Sequence, residues 1–363
     1  MKIALILAFC LSTILTPAFG QKPVRIGIVG LSHAHVIPLL KKLNRTDIQI
    51  VGIAESDQAL SDRYAKEFSI DKKIMFKSLD EMLDKTKPDG VVTFTSIYDH
   101  LKVVQSCAPR KINVMVEKPL AVSTKHANEI AKLAAKYGIL VLTNYETSWY
   151  PSNHAGFEMI NKGDIGALRK IIVYDGHKGP KEIGVNKEFL DWLTDPVLDG
   201  GGAVIDFGCY GADLITWIRK GEKPTSVFAQ LKQYKPDVYP KVDDDATIVL
   251  SYPDMEGIIH ASWNWPFNRK DMHIYGTTGY LLIDNGETIR YRLDEKSKEE
   301  VKKIASDAIP FTDPFVYFAA AIQGKIIVSD TDLASLKTNL TVVEILEAAR
   351  ISNKTGKVVK LKK

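Results

Sequence analysis

From residue 24 to about residue 143, short apolar runs alternate with amphipathic segments. Val24-Arg25-Ile26-Gly27-Ile28-Val29 reads as a buried strand, and residues 48–54, 91–94, 113–116 and 140–142 repeat the pattern. Between them, stretches such as 56–68 and 124–137 carry apolar residues at helical spacing. Near-continuous apolar strands joined by helices predict an α/β fold with a parallel, doubly wound sheet covered on both faces. Ligands of such sheets bind beyond the strand C-termini, where the strand order reverses.

The first strand runs into Gly30-Leu31-Ser32-His33-Ala34-His35. A dinucleotide fingerprint would read Gly-x-Gly-x-x-Gly there, and only its first glycine is present. Ser32 replaces the glycine that lets backbone approach a pyrophosphate, and His35 the one that lets helix and strand pack closely. The context is that of a nucleotide site all the same. The turn follows a strand and opens a helix, and Glu55 closes the second strand. A carboxylate there accepts both ribose hydroxyls of NAD and repels a 2′-phosphate, so NAD is expected over NADP. Gly30, Ser32, His33 and Glu55 are the expected cofactor contacts. His33 and His35 would then lie near the diphosphate, at the positive end of the helix; the alternative is that they cap or pack it.

Composition narrows the class. The chain has 363 residues, 45% apolar and 25% charged, which fits a globular protein and excludes disorder, collagen and a multi-span membrane protein. That length suggests two domains. A formal charge of +4 is too small to imply nucleic acid or an anionic membrane as partner. Residues 1–20 stand apart: Lys2, an apolar run over 3–15, Pro17, then Ala18-Phe19-Gly20 before Gln21. This is the layout of a Sec-type signal peptide, and the run is short for a membrane span. It predicts an exported, periplasmic protein with no membrane attachment after cleavage, an uncleaved anchor being the alternative. Cys107 and Cys209 then remain, in apolar or glycine-rich helical surroundings that predict buried free thiols. No Cys or His spacing suggests a metal.

Glu117-Lys118-Pro119 follows the fifth strand directly. Placed there, this tripeptide resembles the glucose–fructose oxidoreductase/inositol dehydrogenase (Gfo/Idh/MocA) family. Thr95-Ser96-Ile97-Tyr98-Asp99-His100 is similar to that family's turn after the fourth strand. Residues 162–168 are similar to its lead-in to the second domain, and Gly200-Gly201-Gly202 through Asp206 to Tyr210 to its glycine-triplet segment. Gly276-Thr277-Thr278-Gly279 and residues 332–356 also fit, so the resemblance spans essentially the whole chain after residue 20. It implies a Rossmann domain over 24–145, with Thr95, His100 and Glu117 beside the cofactor. It also implies a substrate-binding and dimerisation domain over 146–363, built on an open, mostly antiparallel sheet. Runs rich in β-branched and aromatic residues at 170–174, 227–231, 246–252, 257–265, 272–276 and 280–284 agree with such a sheet. Residues 315–323 and 332–351 read as helices.

The resemblance implies hydride transfer between a nicotinamide and a hydroxyl of a neutral sugar or glycoside. Lys118 would contact the substrate hydroxyl, its bond to Pro119 being often cis in relatives. Asp206 and Tyr210, four apart at a helix start, can share one face. Tyr210 is expected to exchange the hydroxyl proton with its pKa lowered by Lys118, and Asp206 to orient a sugar hydroxyl. The glycine triplet would bring backbone close to the ligand. Tyr145, Trp149, Lys178 and Trp263, with Glu146 and Trp265, are the candidates for lining the substrate pocket; tryptophans are also common in cores. No arginine cluster suggests a phosphate. The alternatives are a glycoside hydrolase or lyase working by transient oxidation and elimination, and a cofactor-free sugar-binding protein. A homo-oligomer through the second sheet is expected.

Overall fold

The computed structural model describes residues 22–362. The signal-peptide assignment lies outside the described residues. The first domain contains β1 (Val24–Val29), α1 (Val36–Leu40), β2 (Ile48–Ala54), α2 (Gln58–Glu67), β3 (Met75–Phe76), α3 (Leu79–Thr86), β4 (Gly90–Thr93), α4 (His100–Cys107), β5 (Asn113–Glu117), α5 (Thr124–Tyr137) and β6 (Val141–Asn144). All six strands are parallel, in the order β3-β2-β1-β4-β5-β6. The order reverses between β1 and β4, which opens the ligand crevice above their C-termini. Local chemistry sets the helix ends. Asp57 and Ser123 accept backbone N–H groups at the starts of α2 and α5, and Gly138 closes α5 in the left-handed region. The turn after β1 opens a helix, as expected, of only five residues with Pro38 inside.

The second domain follows as α6 (Pro151–Lys162), β7 (Leu168–Gly176), α7 (Lys187–Leu193), α8 (Ala203–Asp206), α9 (Gly208–Ile218), β8 (Ser226–Lys232), β9 (Asp245–Ser251), β10 (Glu256–Ser262), β11 (Arg269–Gly276), β12 (Tyr280–Ile283), β13 (Thr288–Arg292) and β14 (Glu300–Lys303). After α10 (Pro314–Ile322) and α11 (Leu336–Thr355), β15 (Val359–Lys360) completes a nine-stranded sheet. Its strands pair antiparallel except β7 with β10. Alternation puts Ile171, Val173, Ile248, Leu250, Ile259 and Ile274 in a core shared with α8, α9 and α11. α10 returns to the first domain: Phe318 and Ile322 sit where a Cβ on Gly90 would have to go. No helix of the described residues is long and apolar enough to cross a membrane. Cys107 and Cys209 are buried and unbonded.

The glycine triplet meets other parts of the protein closely. Gly202 N and Val204 N donate to the Asp243 carboxylate, Ala203 N to its carbonyl, and Gly200 packs on Val122. The triplet allows the α8 start to meet the loop before β9. A Cβ on Gly202 would lie 1.9 Å from the Asp243 carbonyl oxygen, so backbone would have to move. Gly202→Ala is therefore expected to lower stability by about 2–3 kcal/mol, read as a fall in the urea midpoint.

Within α9, Asp213 is fully buried and neither carboxylate oxygen has a partner among the described residues. Burial, then the nearby Asp332, pushes its carboxyl well above the usual range. A raised folded-state pKa contributes stability below the unfolded value and loses it as pH rises. Asp213→Asn should match the native protein near pH 4 and exceed it at pH 8 by about 1–3 kcal/mol. Melting curves at the two pH values check this; equal curves at pH 8 would refute it.

Candidate active site

β5 carries Glu117 and Lys118 to the C-terminal edge of the parallel sheet, where the Lys118–Pro119 bond is cis. Asp206, at the end of α8, comes from the other domain. Lys118 Nζ donates to the Asp206 carboxylate and, at 2.9 Å, to its carbonyl oxygen, both residues being only 5% exposed. Trp263 Nε1 donates to the second carboxylate oxygen at 2.9 Å. Burial alone would raise the Asp206 carboxyl, but Lys118 and His177 hold it below the usual range. Burial would likewise lower the Lys118 ammonium, and Asp206 holds it above its ordinary value. Asp206 is thus the counter-ion of Lys118. Both its carboxylate oxygens accept one bond within the protein, and each keeps a lone pair at the cleft wall, where a sugar hydroxyl could still be oriented.

Lys118 and Asp206 open on a cleft of 580 Å³ between the domains, lined also by His35, Glu146, Tyr150, His177, Tyr210 and Lys270. The Tyr210 ring lies 5.3 Å from Lys118 Nζ and 4.8 Å from Lys270 Nζ. Its hydroxyl has no protein partner among the described residues. Burial, then Glu146, pushes the phenol well above its usual range. Burial therefore sets the direction for Tyr210, opposite to the lowering expected from Lys118. Every carboxylate at the cleft wall is paired. Glu146 meets Lys270 and the Tyr150 hydroxyl, Asp271 takes a two-pronged bond from Arg269, and Asp284 takes one from Arg290.

Five expected pocket residues lie elsewhere. Tyr145 is buried, its hydroxyl donating to Asn339 Oδ1 at 2.9 Å. Trp263 is fully buried behind Asp206, and Trp149 packs on Tyr317 with its Nε1 donating to Asn144. Lys178 is exposed, and only its carbonyl is engaged, by Lys235; its neighbour His177 lines the cleft instead. Trp265 lies under the Arg269 guanidinium and edge-on to Tyr174. In each aromatic case the ring found its partner in the core or in a neighbouring element. Of the candidates, Glu146 does line the cleft. His177, Tyr150 and Lys270 were missed. His177, one residue past β7, was the most legible of them, since strand ends feed such clefts.

On the nucleotide side, Gly30 has φ +79°, and a Cβ there would lie 2.7 Å from Thr95 Cγ2, so the tight turn needs its glycine. Glu55, at the end of β2, accepts the N–H groups of Leu31 and Asp57, each at 2.8 Å. These features fit a ribose at β2 and a backbone turn at β1. Two expected contacts do not. His33 is 1% exposed, its ring 4.3 Å from Phe189 and 5.5 Å from Trp192 of α7. Burial, then His35, pushes its pKa well down. His100 is buried behind the Lys118–Pro119 turn, its Nδ1 donating to the Leu120 carbonyl, and burial lowers it to about 4. Ser32 is half-buried with its hydroxyl turned to the Phe94 carbonyl, and Thr95 donates to the Ser96 carbonyl.

His35 is placed otherwise. Its Nδ1 bonds Glu117 Oε2 at 2.8 Å, and Glu117 Oε1 accepts from Asn144 Nδ2 at 2.7 Å. His33, His35 and Glu117 each offer one potential metal-ligating atom within 4.8 Å of the others. The cluster is closed by its own hydrogen bonds, since His33 Nδ1 accepts the His35 N–H at 3.1 Å.

Comparisons with known proteins agree with this architecture. A family model for an oxidoreductase family with an NAD-binding Rossmann fold matches residues 24–145, and a GFO/IDH/MocA C-terminal domain model matches residues 157–282. Trans-1,2-dihydrobenzene-1,2-diol dehydrogenase of Bos taurus is 26% identical over 265 residues, covering 72% of this chain and 74% of its own. The Homo sapiens enzyme of that name is 24% identical over 260 residues, covering 71% and 72%. The inositol dehydrogenase homolog from Azotobacter vinelandii, complexed with NAD+, superposes with a TM-score of 0.81 at 15% identity, covering 94% and 98%. Aldose-aldose oxidoreductase from Caulobacter crescentus, complexed with glycerol, gives 0.78 at 18% identity, covering 94% and 100%. At such identities these structures speak to the fold alone.

Proposed function

The chain belongs to the GFO/IDH/MocA oxidoreductase family and carries its NAD-binding Rossmann domain, and from that premise we propose that it moves a hydride between NAD and a hydroxyl-bearing carbon of a neutral saccharide or glycoside. The observation that carries the reading is the buried Lys118–Asp206 pair, one group from each domain, beside Tyr210 in the interdomain cleft. Gly30 and Glu55 would hold the nucleotide, with Glu55 disfavouring a 2′-phosphate. When bound, NAD supplies the hydride acceptor. The protein's part is to orient the alcohol and stabilise charge on its oxygen. Lys118 has three N–H donors, two of which go to Asp206, leaving one for the substrate oxygen. Tyr210, kept neutral by burial, is a second donor to that oxygen. A neutral substrate is favoured because Lys118, Arg269 and Lys270 each already face a carboxylate. A phosphate would find no unpaired cation among these three.

Two further parts of the proposal concern the whole chain. The layout of residues 1–20 supports export with cleavage before Gln21, which the mass of the exported protein tests. The outer face of the second sheet, with half-buried Ile172, Tyr174, Ile258, His260 and His273, supports pairing of two copies, which light scattering tests. The function itself is tested by titrating purified protein with NAD+ and NADP+ and assaying NADH formation over a saccharide panel. Tighter NAD+ binding, with turnover of neutral sugars over sugar phosphates, is expected. Aglycone release from chromogenic glycosides without net NADH would replace this reading with transient oxidation and elimination. No nucleotide binding even at millimolar NAD would leave a sugar-binding protein.

A further inference from the structure

Oxidation of an alcohol requires an acceptor for the hydroxyl proton, and most cleft groups are excluded by the bonds they already make. Lys118 is a cation held by Asp206. Tyr210 and Tyr150 are phenols pushed up by burial. Asp206, Asp271 and Asp284 each have both carboxylate oxygens engaged. Glu146 shares its oxygens between Tyr150 and Lys270; burial would raise it, but Lys270 and Tyr150 hold it below the usual range. His177 accepts the Gly179 N–H on Nδ1 at 2.9 Å, so its neutral ring carries hydrogen on Nε2 and is a donor there.

His35 has the opposite arrangement. A carboxylate only accepts, so the bond to Glu117 places the hydrogen of neutral His35 on Nδ1 and leaves a lone pair on Nε2. Nε2 has no protein partner among the described residues, and the ring lines the cleft with its side chain 42% exposed. Behind it runs a supporting chain. Trp149 Nε1 donates to Asn144 Oδ1, and Asn144 Nδ2 donates to Glu117 Oε1. The titratable groups facing His35 are Glu117 from β5, Glu146 from the turn after β6, and His33 from its own turn.

We propose that His35 Nε2 is the proton acceptor of this cleft, with Glu117 as its positioning residue. The proposal rests on the oxidoreductase reading and deepens it. The substrate C–H bond breaks with its electron pair leaving as hydride to the oxidised nicotinamide. The O–H bond breaks, its electron pair forms the C=O, and its proton forms the N–H of a His35 imidazolium. The solvent-exposed edge of the ring then returns that proton to water. In the reverse direction the imidazolium protonates the alkoxide. This gives the position of the fingerprint's third glycine a chemical task in place of helix packing.

The test compares native protein with His35→Gln and Glu117→Gln by three measurements. NAD affinity by fluorescence titration should stay within about threefold in H35Q, while kcat/KM falls by about 10²–10⁴, the usual worth of a general base. Free imidazole should restore part of the rate in His35→Ala. Ring nitrogen shifts by NMR should show His35 in native protein as the Nδ1–H tautomer, and a mixture in E117Q. The proposal is overturned if H35Q keeps its rate within tenfold, or if it loses NAD affinity in proportion to rate. It is also overturned if His35 is the Nε2–H tautomer, or if a stoichiometric metal on His33, His35 and Glu117 proves essential. Native protein that binds no nicotinamide nucleotide would defeat the oxidoreductase reading itself, a result read independently of the variants.

Discussion

Lys118→Met is expected to slow turnover by at least about a hundredfold, since it removes a charged donor from the reacting oxygen, and to destabilise the fold as well. Lys118 and Asp206 are each 6% exposed at the side chain, and removing one member of a buried ion pair costs about 3–5 kcal/mol because the other charge is left uncompensated. The pH dependence separates the two effects. In the native protein Asp206 is held below its ordinary pKa despite burial. Its contribution is therefore present above the unfolded carboxylate value of about 4 and is lost as pH falls through the lower folded value. Without Lys118, burial dominates and the carboxyl rises. The variant's deficit should then grow as pH increases, the opposite trend. The double variant Lys118→Met, Asp206→Asn should regain most of the stability and none of the activity. A stable single variant retaining activity within tenfold would remove Lys118 from the chemistry.

Strands and helices with a strong pattern were legible because burial leaves a periodic trace. The apolar run at residues 48–54 coincides with β2, and residues 124–137 with α5. β14 left no trace, since Glu300-Val301-Lys302-Lys303 is exposed throughout and owes its conformation to pairing with β13. β3 is only two residues long. The apolar run in α10 announced a helix. It could not announce that the helix folds back onto β4 of the first domain, because hydrophobicity does not name its partner.

The site was legible to the same extent. Glu117-Lys118-Pro119 marks itself by following a strand directly, and Lys118 lies in the cleft. Trp263 and Trp149 were expected there for stacking and Tyr145 at the rim, yet Trp263 is buried behind Asp206 and the other two bond to Asn144 and Asn339. The His35–Glu117 bond joins residues 82 positions apart. Only the parallel order of β1, β4 and β5 brings those strand ends together, and no local motif encodes that order.

Tyr210→Phe should reduce kcat/KM by about 10²–10³, the worth of one donor to a developing oxyanion, while leaving the fold nearly unchanged. The two expectations come from the same surroundings. The ring is buried edge-on to Tyr145 at 5.5 Å, near Phe207 and two ammonium groups, and phenylalanine keeps all of those ring contacts. The hydroxyl has no protein partner among the described residues, so its removal leaves no buried group unpaired, and the melting temperature should barely move. The pH profile then decides what the hydroxyl does. Burial keeps the phenol protonated through the neutral range, so a donor lost from it should cost the same factor from pH 6 to pH 9. Were Tyr210 the proton acceptor, the factor would change with pH and the variant would lose a limb of the profile. A pH-independent loss in Y210F, set beside rescue of His35→Ala by free imidazole, would divide the labour between the two residues. A loss smaller than tenfold in Y210F would mean that the substrate oxygen sits elsewhere in the cleft and that Lys118 alone holds it.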